Sequence, residues 1–598
     1  MSLKLIVRQT LTIFLFWLLF FAAWRPVFWL WQPALRPFSG TDFLENAFHG
    51  LYMDLSMAGY FSMLPLLMLS FSFLLSGRII QRAIMVYHLL LLPVLSLMAV
   101  ADLEIFQKWG HRLDAAVLPY LAFPAEALAS SLSSPLHLLV PLHLFFSAAA
   151  FFLWKKLAAG LVSEGKEKAL LLFPRLFFTA ACILPIRGGL QLAPMNQSSV
   201  YYSPARILNQ SAENPVWVFC QSLLENTSRE LKSTYAGADR SKARQLCDSL
   251  FADGVSPEMV LHTGRPNVIL IIWESLSYKV AGAWGGKFPS TPCLDSLART
   301  GLQFENIYAN GDRSDKGLVS ILSAQPAFGK ISLMSHPGIS SGLDFISRHT
   351  RKLGYSDLYM YGGELEFANM KSYLLNAGFN RLIGKSDFPR ESWNSKWGAH
   401  DEALFDRQLL EAKKSRQPFF HTLFTLSSHE PFEVPGQANL PGTPPDSLFC
   451  RAHRYTDRSL RTWVSNASRQ AWWKNSLVII IADHGHAQPG NSAEEDPEKF
   501  KIPMLWFGPA LKKSGRIQRT GNQTDLFATL CRQLGDNSQM PAFSKNLLSP
   551  GSRDFAFYAF RNGCAFKEGN GLQMSFDGTG PVNAAYLLRQ QAFESIFH

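Results

Sequence analysis

Charge is scarce in this sequence. Asp, Glu, Lys and Arg make up 17% of its 598 residues, against 47% hydrophobic residues. The apolar residues crowd the first third, so the chain-wide average hides two unlike halves. Zinc-finger spacing, an RNA-binding aromatic signature and a long Lys/Arg run are all missing, so the net charge of +11 does not point to nucleic acid. No Cys-x-x-Cys pair occurs among the seven cysteines. No internal repeat and no low-complexity tract is found, which excludes a repeat array. At this length one ordinary core is too little, and at least two structural units are expected.

Five apolar stretches remain once the absences are set aside: 11–31, 55–75, 84–102, 135–153 and 169–186. Each is near the roughly 20 residues that a bilayer requires, and together they define a transmembrane domain over 1–186. The first lacks a small-residue cleavage site and is followed by further spans, so it reads as an anchor rather than a signal peptide. It holds Arg25 near its outer end. The fifth holds Pro174 and Arg175 near its start, where an arginine can snorkel to the interface. Lys4 and Arg8, then Arg78 and Arg82, then Lys155, Lys156, Lys166 and Lys168 all fall on one side of a five-span arrangement. The positive-inside rule makes that side cytoplasmic and puts 187–598 outside the cytoplasm. The expected location is the inner or plasma membrane, with the basic outer part near anionic lipid headgroups. Cys182 lies in span five, and the six other cysteines lie where disulfides form.

The outer half begins with a connector, 187–265. From 266 onward short apolar runs alternate with helical patterns. "NVILIIW" (267–273), "DLYMY" (357–361), "FFHTLFTL" (419–426), "LVIIIA" (477–482) and "IPMLWF" (502–507) read as strands buried on both faces. "TPCLDSLARTG" and "DEALFDRQLLEAKK" read as helices between them. The spacing predicts an α/β fold with a mostly parallel sheet flanked by helices over 266–545. The tail, 546–598, reads as strands around the turn "RNG" that complete the domain.

Ligands of open α/β sheets bind beyond the carboxyl ends of the strands. Glu274 immediately follows the first strand, and Asp483 and His484 follow "LVIIIA". Singly, each is an ordinary cap or turn residue; jointly, at two strand ends, they are candidate metal ligands. Carboxylate plus imidazole suits Zn2+ or Mn2+, and an oxygen-rich set also admits Mg2+. Ser314, in "YANGDRSDKGLVSIL", stands where a helix should begin. There a serine is a good N-cap, and it is also placed as a nucleophile if a cation lowers its pKa. His429, in "TLSSHEPF", follows a strand and is a candidate for holding a phosphate oxygen or protonating a leaving group. Arg313, His400, His453 and His486 are weaker candidates of the same kind.

These pieces resemble the lipoteichoic acid synthase group of the alkaline phosphatase/sulfatase superfamily. The matching segments are "NVILIIWESLS", "TPCLDSLARTGLQFENIYANGDRS", "WGAHDEALFD", "TLSSHEPF", "RYTDRSL", "IIADHGH", "KIPMLWFGP" and "QTDLFATL", in order over about 265–535. The resemblance implies an alkaline-phosphatase-like domain after five spans and a single divalent metal, with Mn2+ favoured over Zn2+ or Mg2+. It assigns Glu274, Ser314, Asp483 and His484 as ligands, Ser314 also as nucleophile, and His429 as a substrate-phosphate histidine. Two departures stand out. The family's nucleophile is usually Thr. The synthases' glycerophosphate pocket carries an Asp, a Trp and an Arg, where this chain has "GGELEFANMKSYL", with Glu364, Phe367 and Asn369 and no Arg.

The expected function is therefore a membrane-anchored, metal-dependent phosphotransferase. It would move a phosphoglycerol-type headgroup from a phospholipid to a cell-envelope glycan or lipid acceptor, with Glu364 and Asn369 at the substrate beside His429 and Arg313. The alternatives are phosphoethanolamine transfer, or hydrolysis of a phosphodiester or sulfate ester. A true sulfatase needs [CS]-x-P-x-R, and the residues after Ser314 are Asp315, Lys316, Gly317 and Leu318.

Overall fold

The run 268–273 is apolar at every position, so it is stable only where both faces are covered. In the computed structural model it forms β1 (Asn267–Trp273), fully buried. The structure describes residues 3–118, 134–162, 165–224, 239–252, 257–436, 444–577 and 582–597. The chain divides into two compact units, Met1–Ser228 and Arg229–His598.

Among the described residues the first unit holds five helices long and apolar enough to cross a bilayer: Leu3–Trp31, Gly40–Ser70, Gly77–Lys108, Leu136–Ala158 and Ala169–Arg187. The second starts well before position 55 because Ser39 and Asp42 form a capping box. The Asp42 N–H donates to Ser39 Oγ (3.2 Å) and the Ser39 N–H to Asp42 Oδ2 (2.7 Å). Large side chains such as Leu19, Leu90, Phe145 and Phe177 stand exposed on these helices, as a lipid-facing surface requires. Charges inside the unit are paired. Arg25 binds Asp54 (2.7 Å) and the carbonyls of Ser211 and Ala212 (2.9 Å each). Arg112 binds Asp102 at 2.9 Å. Arg175, expected to snorkel, is instead enclosed by protein and bonded to Glu167, the Gln9 side chain, the Leu69 carbonyl and Ser72. The protein groups supply partners that an interfacial arginine would seek in water.

The stretch 187–265 is divided between the units. Helices Arg206–Ala212 and Pro215–Leu224 belong to the first, where Asn46 Nδ2 donates to the Leu208 carbonyl at 2.7 Å. Helix Arg240–Leu250 belongs to the second and packs on Ala584–Phe597.

The second unit is built on an eight-stranded sheet flanked by helices. Its other strands are β2 (Leu302–Tyr308), β3 (Ser356–Tyr361), β4 (Leu382–Ile383), β5 (Phe419–Phe424), β6 (Ser476–Ala482), β7 (Lys501–Phe507) and β8 (Gly515–Asn522). The order is β4-β3-β5-β1-β6-β7-β2-β8. Only β7 runs against its neighbours; every other pairing is parallel. β1 lies between β5 and β6 with Trp273 opposite Ala482, so the residues after β1 and β6 emerge side by side. A second sheet, β9 (Phe555–Phe560), β10 (Gly563–Glu568) and β11 (Gly571–Phe576), is antiparallel and followed by helix Ala584–Phe597. That helix is an addition to the expected strands. All seven cysteines are free thiols, so the disulfides allowed by compartment are not formed.

Candidate active site

The strand ends bring Glu274, Asp483 and His484 together. One ligand atom from each lies within 4.8 Å of the others, and all three residues are buried. Asp483 Oδ1 accepts the N–H groups of Ser275 (2.7 Å) and His484 (2.8 Å), while the buried Oδ2 accepts no hydrogen bond. The His484 Nδ1–H donates to the Gly485 carbonyl at 2.7 Å, which turns Nε2 toward the carboxylates, 3.5 Å from Glu274 Oε1 and from Asp483 Oδ2. Ser275 holds the turn in a left-handed conformation (φ 57°) and donates its hydroxyl to Glu274 Oε1 at 2.8 Å. Nothing in the sequence singles out Ser275 for that role.

Ser314 opens the helix Ser314–Ser323. The cap position is Arg313, extended at φ −149°, and no side chain caps the helix. Ser314 is therefore one residue inside the expected cap, and its hydroxyl is directed elsewhere: to Glu274 Oε2 at 3.2 Å, with His484 Nε2 at 3.5 Å. Gly317 brings this helix against the loop that carries Asp483 and His484. A Cβ there would meet the Asp483 carbonyl oxygen at 1.7 Å, so only glycine permits the approach.

Electrostatics set the cluster's appetite for a cation. Burial pushes the Asp483 carboxyl up, and the charge of Glu274 pushes it further. Burial also opposes charge on Glu274 and on His484. Their mutual contact overcomes it, together with His429 for Glu274 and Asp483 for His484, so Glu274 is held low and His484 is raised. Two buried carboxylates, one with an oxygen that accepts no hydrogen bond, together with an imidazole nitrogen and a hydroxyl, fit a divalent metal with nitrogen and oxygen ligands.

Ser314 faces a cleft of about 410 Å³ lined also by Arg313, His429, Glu430, His486 and Lys499. The His429 Nδ1–H donates to the Glu430 carbonyl (2.9 Å), leaving Nε2 for a ligand, and its ring packs on Trp397 with centroids 4.4 Å apart. Glu364 and Asn369 are not brought into the lining. Glu364 pairs with Lys385 at 3.2 Å, and Asn369 donates to the Ser335 carbonyl at 3.2 Å. Left-handed turns at Ala368 and Asn369 (φ 52° and 62°) present Phe367, Ala368 and Met370 instead, beside Met334 and Trp397. His453 is buried behind β1 and accepts a hydrogen bond from Trp273 Nε1 at 3.1 Å; His400 is buried against Ser427. Trp397 and Lys499 carried no motif that sequence reading could single out.

Residues 266–535 match the sulfatase family. Among curated proteins, lipoteichoic acid synthase 1 of Bacillus subtilis is 26% identical over 336 residues, 50% of each chain. Phosphoglycerol transferase I of Xanthomonas campestris pv. campestris is 24% identical over 318 residues, 48% of this chain and 43% of that one. The chain thus spans about half the length of these relatives. In fold it resembles an alkaline phosphatase superfamily protein from Vibrio parahaemolyticus (TM-score 0.53, 24% identity, 60% of this chain and 95% of that one). It also resembles the lipoteichoic acid synthase LtaP of Listeria monocytogenes (TM-score 0.50, 18% identity, 60% and 98%). Residues 266–535 thus form a sulfatase-like domain, similar to the lipoteichoic acid synthases and phosphoglycerol transferases, in a chain that also holds, among its described residues, five helices long and apolar enough to cross a membrane.

Proposed function

We propose that the protein is a metal-dependent transferase that moves a phosphoglycerol-type headgroup from a phospholipid to an extracytoplasmic envelope acceptor through a covalent phospho-enzyme, the headgroup phosphate esterified to Ser314. The observation that carries the reading is the Ser314 hydroxyl, released from capping and set 3.2 Å from Glu274 beside the unpartnered Asp483 Oδ2. Glu274, Ser314, Asp483 and His484 would hold one divalent ion, Mn2+ first. When bound, that ion would lower the pKa of the hydroxyl and offset charge on the phosphoryl oxygens.

Ser314 Oγ forms a bond to phosphorus while the bond from phosphorus to the diacylglycerol oxygen breaks. The Oγ proton already points at Glu274 Oε2, and His429 supplies a proton to the departing oxygen. The helix N-terminus at Ser314 favours the negative phosphoryl group. An acceptor hydroxyl then attacks the same phosphorus while His429 takes its proton, and the Ser314 oxygen leaves and recovers a proton from Glu274. Arg313 and Lys499 line the cleft and add positive charge for the donor or acceptor.

The apolar wall of Phe367, Ala368 and Met370 offers no polar contact to a glycerol, which gives phosphoethanolamine transfer a footing as the second reading. The full-length protein in nanodiscs, given separately labelled phosphatidylglycerol and phosphatidylethanolamine, tests the choice. Label retained from phosphatidylglycerol supports the first reading, and label retained only from phosphatidylethanolamine replaces it with the second.

A further inference from the structure

The nucleophile and two metal ligands arrive on loops that no strand ladder joins. Ser314 follows β2 and Asp483 follows β6, and β7 lies between those strands. Toward the site β7 leaves β6: their pairing ends at Ile481↔Met504, while β7 stays with β2 as far as Tyr308↔Lys501. The sheet therefore opens just where the separation of the two loops matters.

One side chain crosses this opening. Gln523, fully buried at the end of β8, donates Nε2 to the carbonyls of Ala482 (2.7 Å) and Asp483 (2.5 Å). Its Oε1 accepts the N–H of Asn310 at 3.0 Å, on the loop that leads to Ser314. Its own N–H donates to the Tyr308 carbonyl at 3.2 Å. A planar amide has both donors and an acceptor at fixed separation, so it sets a distance as well as an attraction.

We infer that Gln523 is a positioning residue that fixes the spacing between the Ser314 loop and the Asp483–His484 loop. The inference rests on the proposed function in taking those loops to carry nucleophile and ligands. Outer partners that orient metal ligands typically contribute 10–100-fold to metal affinity or activity.

A matched comparison separates positioning from plain stability. Gln533 is equally buried in the same unit and bridges two backbone groups as well, donating to the Glu258 carbonyl (2.7 Å) and accepting the Val260 N–H (2.8 Å). Full-length Gln523→Glu, Gln523→Asn and Gln533→Glu are stripped of metal, titrated with Mn2+ and melted. Both Gln523 variants should lose about 10–100-fold in Mn2+ affinity and in phospho-enzyme formation, with donor KM little changed. Gln533→Glu should lose melting temperature only. Gln523→Asn keeps an amide and serves if the Glu variant does not fold. Wild-type affinity in a folded Gln523 variant, or equal affinity losses in all three, overturns the inference alone. Wild-type protein that binds no Mn2+ overturns the proposed function as well.

Discussion

The account rests on two atoms: Asp483 Oδ2, which accepts no hydrogen bond, and Ser314 Oγ, which is turned from the helix end toward Glu274 Oε2. Asp483→Asn should therefore separate binding from folding. It removes a charge that burial and Glu274 already disfavour, so the metal-free protein should melt at the same temperature or slightly higher, while Mn2+ affinity falls at least about tenfold. Calorimetric titration and melting of the same sample check both halves. Ser314→Ala should cost less than the ~1 kcal/mol of a lost N-cap, because Arg313 occupies the cap position. A thermal shift that matches wild type, with no transfer, is the expected pair of results. The identity of these residues was readable from their places after apolar runs. The hydroxyl's direction was not, because helix starts are defined in sequence only to within a residue or two.

Elements hold these atoms through close packing. Gly317→Ala would drive a methyl group into the Asp483 carbonyl, which neither backbone can avoid without moving. Overpacking of this kind costs about 1–3 kcal/mol, and here the displaced groups are the site itself. Activity should fall further than stability, as measured by transfer rate against melting temperature. A separate element contact is governed by pH. His349, on helix Ile346–Lys352, bonds Asp536 Oδ2 (2.5 Å) and Asp344 Oδ2 (2.9 Å). The hydrogen bond to Asp344 raises His349 first, and the bond to Asp536 adds to it against burial. Both aspartates are lowered, although burial opposes it, by His349 and by local N–H groups. A raised histidine stabilises the fold below its ordinary value of 6.5, and that stability is lost as pH rises through the folded value. Lowered aspartates stabilise above 3.8, and that stability is lost as pH falls through theirs. The contact is then strongest between about pH 4 and 6.5. Melting from pH 5 to 9 should show a decline that His349→Gln flattens. β1 and β6 were legible because both faces are buried. β8 was not, since its sequence GRIQRTGN is a polar edge with only its last two residues buried, and β4 is only two residues long.

The whole chain carries membrane-length helices and a sulfatase-like α/β unit, and the orientation expected from its basic residues is open to a direct test. A reporter fused after His598 should be active only outside the cytoplasm; cytoplasmic activity would mean a miscounted span. Five apolar stretches were visible in sequence because lipid demands long uninterrupted runs. The division of 187–265 between two units was not, because its short helices are assigned by tertiary contacts such as Arg25 to Ser211 and Ala212.

The central claim is that Ser314 carries the phosphoryl group between donor and acceptor. Its most direct test is peptide mass spectrometry of full-length protein quenched within one turnover after mixing with Mn2+ and phosphatidylglycerol, without acceptor. The account predicts a phosphoglycerol adduct on Ser314, absent from Ser314→Ala and discharged when acceptor is added. An adduct on another residue, or full transfer by Ser314→Ala, would contradict it.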